Sequence, residues 1–291
     1  MKSFINSLIG IVVLMASCEK FPLDSSSYEK DANILVNTSG ISHEQATRSV
    51  KPLSELCTKI SYVFYQDGER TKVVNQDAED NGFGSMAVKL MPGKYTMLVV
   101  GHSGESNATT TDMNKIQFSG KVTDTFVYCE EIEVGETPRT VEAEAVRNVA
   151  MFRLNITGGI PDNVKRLKFY YTGGSSSFDA ATKLGCVQSR QTEYRIVNTS
   201  QTTYDVYTFP HSEDGDILKM TITALDDADN VVMERELTDV KVKVGVITIS
   251  TMNFFDGASE GTSQEVNINI GADNEWKDSI LLADRMHREY D

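Results

Sequence analysis

The sequence predicts an all-β protein: two consecutive antiparallel β-sandwich domains behind an export signal. Three observations carry that reading. Apolar and polar residues alternate in many segments, as in Ile60-Ser61-Tyr62-Val63-Phe64 and Val240-Lys241-Val242-Lys243-Val244. This is the period of a strand with one face buried and one face wet. Turn chemistry separates such segments, at Pro92-Gly93 and at Asp226-Asp227-Ala228-Asp229-Asn230, the first of these reading as a hairpin turn. Helical patterning is scarce, confined to short candidates at 44–57 and 278–288.

The amino end comes first. Met1-Lys2-Ser3 is short and positive, Leu8 to Met15 is apolar, and Ala16-Ser17-Cys18 follows. A charged start, a short apolar stretch and small residues before a cut site form a secretory signal peptide. The apolar run is too short for a bilayer span, which takes roughly 20 residues. Leu14-Met15-Ala16-Ser17-Cys18 resembles a bacterial lipobox, which makes Cys18 the acylated first residue of the mature chain. Two or more acyl chains hold a protein stably, each buried CH₂ contributing about 0.8 kcal/mol. Removing residues 1–17 from 291 leaves 274, enough for two ordinary domains.

Residues 18–50 read as a polar tether with one candidate strand at Ala32–Val36. Residues 51–145 form the expected first sandwich. Ala87-Val88-Lys89-Leu90 leads through Pro92-Gly93 into Tyr95–Val100, which reads as a buried strand. Residues 146–291 form the second, with the boundary expected near Glu142–Val146. Phe152, Leu154 and Ile156 share one face, as do Leu167, Phe169 and Tyr171, and Leu218, Met220, Ile222 and Ala224. Val266-Asn267-Ile268-Asn269-Ile270 reads as a final strand, with Trp276 after it as a core or edge anchor.

A net charge of -14 excludes nucleic acid as a partner, since phosphates demand basic patches. It also excludes attachment to anionic lipid by overall charge alone. Beyond Cys18 the cysteines are Cys57, Cys129 and Cys186. An odd number permits at most one internal disulfide. Either these stay as buried free thiols, or Cys57 pairs with Cys129. His43, His102, His211 and His287 are far apart and expected on the surface. Gly101-His102-Ser103-Gly104-Glu105 lacks the last glycine of a nucleophile elbow. The Asp226–Asn230 cluster lacks the glycine and terminal glutamate of a calcium loop, so a solvated turn is expected there. No catalytic residues, metal ligands or cofactor emerge, and the chain does not read as an enzyme.

Five segments carry a family resemblance. They are Asp67-Gly68-Glu69-Arg70; Leu90-Met91-Pro92-Gly93-Lys94-Tyr95 with Val99 to Gly104; Phe118 to Phe126; Arg147-Asn148-Val149-Ala150-Met151-Phe152-Arg153-Leu154; and Lys168 to Gly174. In order and spacing they resemble the fimbrial subunits of Bacteroidetes type V pili, most of all the FimB-type anchor or assembly subunits.

The resemblance implies two tandem transthyretin-like sandwiches and a lipoprotein of the outer membrane, displayed on the surface as part of a fimbria. It implies partnership with a fimbrial stalk subunit by donor-strand exchange, main-chain pairing giving strength and alternate side chains filling pockets. The donor candidate is Glu265–Ile270, with Val266, Ile268 and Ile270 as knobs. An anchor retains its own amino-terminal strand, here the segment at Ala32–Val36. Polymerising subunits lose theirs by cleavage after an arginine. Arg48 is either such a processing site or a plain linker residue. The rival reading is a surface glycan-binding lipoprotein of a polysaccharide-uptake system, which needs exposed aromatic platforms in a chain with one tryptophan.

Overall fold

The computed structural model describes residues 31–41, 50–198 and 200–256, and the backbone of 278–281. The first half holds β1 (Ile34–Ile41), β2 (Val50–Pro52), β3 (Lys59–Gln66), β4 (Glu69–Asp77), β5 (Ser85–Val88), β6 (Gly93–His102), β7 (Ile116–Gln117), β8 (Thr125–Val134) and β9 (Arg139–Arg147). The second holds β10 (Ala150–Ile156), β11 (Arg166–Thr172), β12 (Ser177–Phe178), β13 (Arg190–Ile196), β14 (Thr203–Thr208), β15 (Asp216–Leu225), β16 (Val231–Val242), β17 (Val246–Met252) and β18 (Asp278–Leu281).

The first sheet runs β2-β1-β9-β8-β6-β3-β4, with β5 also paired to β1. β8 and β9 share only the pairs Phe126–Arg147 and Val127–Val146. The sheet folds over at that junction. Ile34, Val36, Met86 and Ala143 from one layer then meet Tyr62, Phe64, Met97 and Val99 from the other in a single core. β3 and β4 are joined by Asp67-Gly68, with φ of 52° and 82°, the left-handed pair that a two-residue hairpin turn demands. In the second half, sheets β14-β10-β17-β18 and β13-β11-β15-β16 enclose Phe152, Leu154, Leu167, Phe169, Met220 and Ile222. These are the residues whose alternation marked the strands.

The expected all-β sandwich architecture is what the chain adopts, with four corrections. The pairing is not wholly antiparallel: β1–β9, β10–β17 and β17–β18 run parallel. Such partners are distant in sequence and joined by crossovers, which leave strand direction free. The hairpin expected at Pro92-Gly93 is instead a corner between layers. β5 pairs with β1, whereas β6 pairs with β3 and β8. The Asn33 side chain holds this corner to β1, its Oδ1 accepting from the Leu90 N–H at 2.9 Å.

Neither candidate helix forms over its described part. Val50–Pro52 is a strand and Leu53–Glu55 a single 3-10 turn, since buried Leu53 is pinned in the core and Pro52 cannot donate within a helix. Residues 278–281 pair parallel to β17; 44–49 and 282–288 lie outside the described residues.

The fourth correction is to the wet face expected of β3. β3, Met97–His102 of β6 and Thr125–Tyr128 of β8 are buried on both sides. Val63, Tyr65, Leu98, Val100 and Val127 point away from the first core, into another that also takes Val149, Phe178 and Phe209 from the second half. Phe118 stacks 5.6 Å from Phe209 there, and β7 pairs with β12 across the same junction. The two sandwiches thus share a core.

A buried polar network closes the second sandwich. The Tyr171 hydroxyl donates to Glu193 Oε1 at 2.5 Å, and Arg195 Nη2 donates to Glu193 Oε2 at 2.6 Å. Burial first, then the Glu193 charge, raises the Tyr171 pKa well above its ordinary value. Tyr171→Phe removes a donor from a carboxylate that is itself buried, which costs about 1–3 kcal/mol. The expected result is a lower urea midpoint with an unchanged m-value.

Candidate assembly site

Strand β1 lies inside its sheet, not at an edge. Ile34 to Ile41 pair in parallel with Arg139 to Val146 on one side. On the other, Ile34–Asn37 pair with β5 and Ser39–Ile41 with β2. Backbone bonding is therefore satisfied along both flanks. Ile34, Val36, Thr38 and Gly40 are buried while Leu35, Asn37 and Ser39 are half-buried. The inward side chains taper along the strand. At its narrow end a Cβ on Gly40 would sit 2.4 Å from Leu56 Cδ1, so only glycine passes there without displacing that leucine.

Polar contacts set the register. Asn33 Nδ2 donates to the Leu90 and Gly135 carbonyls, each at 3.0 Å, and the Thr38 hydroxyl donates to the Gly84 carbonyl at 2.7 Å. A one-residue slip would turn Ile34 and Val36 out of the core. Burying each of these side chains stabilises the fold by about 1.5–3 kcal/mol.

At the other end of the chain, the backbone of β18 pairs with Val246–Ile249 and closes the β14-β10-β17-β18 sheet. Two other outer strands, β4 and β16, are guarded. β4 carries Glu69, Arg70 and Lys72, and the β15–β16 ladder is broken by register shifts, two devices that discourage unwanted edge pairing.

The sequence candidates fall as follows. Cys18, Arg48, Val266, Ile268 and Ile270 lie outside the described residues, as do His43, His287 and Trp276. The Cys57–Cys129 bridge is not formed; both are free thiols. Cys57 packs in the first core and Cys129 against the shared one, so the sheet stands between them. Cys57 Sγ donates to the Leu53 carbonyl at 3.2 Å, and burial pushes its pKa up to about 12. A thiol so raised stays protonated and unreactive.

Asp226 makes the expected turn. Its carboxylate accepts from the Ala228 and Asn230 N–H groups and from the Asn230 amide, and these bonds, the Asn230 side chain's foremost, lower its pKa. Among the described residues, no group of His, Cys, Asp or Glu could hold a metal ion.

The segment Arg147–Leu154 has a structural reason for its composition. Arg147 makes a two-pronged bond to Asp124 at 2.7 and 2.8 Å with its guanidinium 4.8 Å from the Phe126 ring centroid. Val149 enters the shared core, Phe152 and Leu154 enter the second, and Arg153 grips Asp205 at 2.8 and 2.9 Å. A family model described as fimbrillin-A associated anchor proteins Mfa1 and Mfa2 matches residues 32–280. The chain belongs to this anchor family.

Solved structures that align with this chain include the fimbrial anchor protein Mfa2 from Porphyromonas gingivalis, at 10% identity and a TM-score of 0.39, covering 70% of this chain and 82% of that one. A fimbrial assembly protein from Parabacteroides distasonis aligns at 11% identity and 0.40, over 75% and 90%. A protein described as a cell adhesion protein from Bacteroides ovatus aligns at 14% and 0.47, over 83% and 99%. No curated protein sequence matches. As a member of the anchor family, this chain is a fimbria-associated structural protein of the cell surface and not an enzyme.

Sequence reasoning missed several residues that hold the anchor fold together. Asn33 and Gly40 lie in and just beyond the short candidate strand, and what they do depends on Leu90, Gly135 and Leu56, which only the fold brings near. His102, expected on the surface, is fully buried, with Phe118 edge-on at 5.0 Å. The run Val99-Val100-Gly101-His102 signalled a buried strand end. His211 is half-buried, bonded to Asp216 at 2.7 Å and to the Val187 carbonyl at 3.0 Å.

Proposed function

We propose that this protein ends a fimbria at the outer membrane: acylated at Cys18, keeping its own amino-terminal strand, and joined to a stalk subunit by strand exchange. One observation supports this above the rest, the seating of β1 between β9 and the β5/β2 pair. A groove filled by its own strand has no free backbone groups to offer a neighbour's strand, so growth by that route stops here. On this reading Arg48 is a linker residue and is left uncut. The junction with the stalk then falls to the carboxyl-terminal segment, where Val266, Ile268 and Ile270 supply the alternating side chains that β-augmentation uses.

The test uses two variants in the producing cell. Cys18→Ala is expected to move the protein from the membrane fraction into the soluble fraction. Val266→Asp combined with Ile268→Asp and Ile270→Asp is expected to leave it membrane-bound but absent from fibres, which are shed into the medium. Substitution is cleaner than deleting the tail, because deletion would also strip β18 from the edge of its sheet. Normal fibre retention by the triple variant would remove the donor role, and membrane retention of Cys18→Ala would remove the tether.

A further inference from the structure

The function proposed above assigns no role to the outer face of the β13-β11-β15-β16 sheet, and that face is unusual. Among the described residues six large hydrophobic side chains are exposed, and five of them, Tyr170, Tyr194, Ile196, Ile217 and Val231, belong to this sheet. Strand register puts them on the same side. Tyr194 stands opposite Lys168, Ile196 opposite Arg166, and Arg166 in turn opposite Leu225, which faces Val231. Residues of the other parity, Leu167, Phe169 and Tyr171, fill the core. Ile196 is 83% exposed and Val231 62%.

Charge on the face runs against the rest of the molecule. Arg166, Lys168, Arg190, Lys219 and Lys241 project there, against Glu234, Glu236 and, at the bulge beside Lys219, Asp239. Asp229, at the rim, is already paired with Arg166. A cationic excess thus sits on a chain of net charge -14. The Arg166 guanidinium lies 5.9 Å from the Tyr194 ring centroid. The surface between Tyr194 and Val231 is only a shallow depression, suited to an extended surface more than to a small molecule.

We propose that this face rests on an anionic lipid surface, with Tyr194, Ile196 and Val231 entering the headgroup layer and Lys168, Arg190 and Lys219 contacting phosphates. Tyrosine favours the membrane–water boundary because its ring is apolar and its hydroxyl polar. Lysine and arginine lay their stems along apolar surface and carry their charge to the phosphates. Exposed Ile196 and Val231 have a place in this arrangement that they would lack on a sugar-stacking platform. The proposal rests neither on acylation of Cys18 nor on strand exchange.

The test is co-sedimentation of the mature chain carrying Cys18→Ala, so that no acyl group contributes. Vesicles of phosphatidylcholine with phosphatidylglycerol are expected to bind it, and vesicles of phosphatidylcholine alone to bind it far less. Lys168→Glu changes two charge units and is expected to lower partitioning at least tenfold, each surface charge being worth roughly fivefold. Ile196→Ser is expected to lower it severalfold. Both side chains lie on the outer face, Ile196 exposed and Lys168 half-buried, so neither change opens the core and any shift in melting temperature should be small. Equal binding to both vesicle types, or unchanged partitioning of either variant, would overturn the proposal. Polygalacturonate binding at this face in preference to the vesicles would assign it to an acidic polysaccharide and overturn it equally.

Discussion

Val36→Asp is expected to leave the protein without a cooperative thermal transition at neutral pH. Val36 is fully buried, on a strand bonded to neighbours on both flanks. A carboxylate there loses the valine's burial, about 2 kcal/mol, and is itself taken out of water beside apolar neighbours at a cost of several kcal/mol more. Together these approach the roughly 5–15 kcal/mol by which a whole domain is stable. Leu35→Thr, one residue along on the half-buried face, should shift the melt only slightly.

A stronger form of the experiment removes the strand. A chain beginning after Ile41 should melt early and regain stability on addition of a synthetic peptide of residues 32–41. The same peptide with Val36→Asp should not rescue it. Should the shortened chain melt like the full one, β1 would be dispensable, and the self-filled groove could no longer explain why a fibre ends.

Acid should weaken the fold through His102. Its ring is buried, with Nδ1 accepting from the Gly104 N–H at 3.1 Å. Nε2 therefore carries the proton, and it has no partner. Burial first, then the Lys59 charge, lowers its pKa to about 4, with Asp77 opposing. An unfolded histidine titrates near 6.5. Between those values the unfolded chain binds a proton that the folded chain refuses, so stability is fully present above about 6.5 and drains away as pH falls toward 4. The loss amounts to about 3 kcal/mol.

His102→Gln keeps an acceptor for Gly104 and cannot titrate. Its unfolding free energy, measured by urea at pH 7 and at pH 4.5, should fall much less between the two than that of the parent. Asp226 acts lower. Its depressed pKa gives stability that is present above its ordinary value of 3.8 and lost only as pH falls below it. Parallel pH curves for parent and variant would show that protonation of His102 is not what acid does to this fold.

Local pattern was enough to read strand after strand in the second half, because Leu167, Phe169 and Tyr171 face one core and their alternates face water. It misled at β3. Tyr62-Val63-Phe64-Tyr65 is apolar at both parities, a sign of burial on two faces that the alternation template absorbed unnoticed, whereas the unbroken run Met97-Leu98-Val99-Val100 of β6 was legible as a buried strand. Partner choice was not readable at all. Nothing local tells Val36 to lie parallel to Val141, or takes Val88 to β1 when Pro92-Gly93 invites it to fold back on β6. At the candidate site, the segment at Ala32–Val36 could be named as a retained strand from resemblance, whereas Asn33 and Gly40 gain their roles only from residues far away in the chain. The cysteines show the same limit: three thiols in a list suggest a bridge, and a sheet lying between two of them forbids it.

The core shared by the two sandwiches has a mechanical consequence. Two β modules in tandem ordinarily swivel about the segment that joins them unless a large apolar contact locks them. Here that segment is itself packed away: Val149 is wholly enclosed, Asn148 N–H is held by the Thr125 carbonyl at 3.1 Å, and Arg147 is clamped to Asp124. With no slack at the joint, the two sandwiches move as one stiff body, and a sideways tug on either is handed to the other without bending between them.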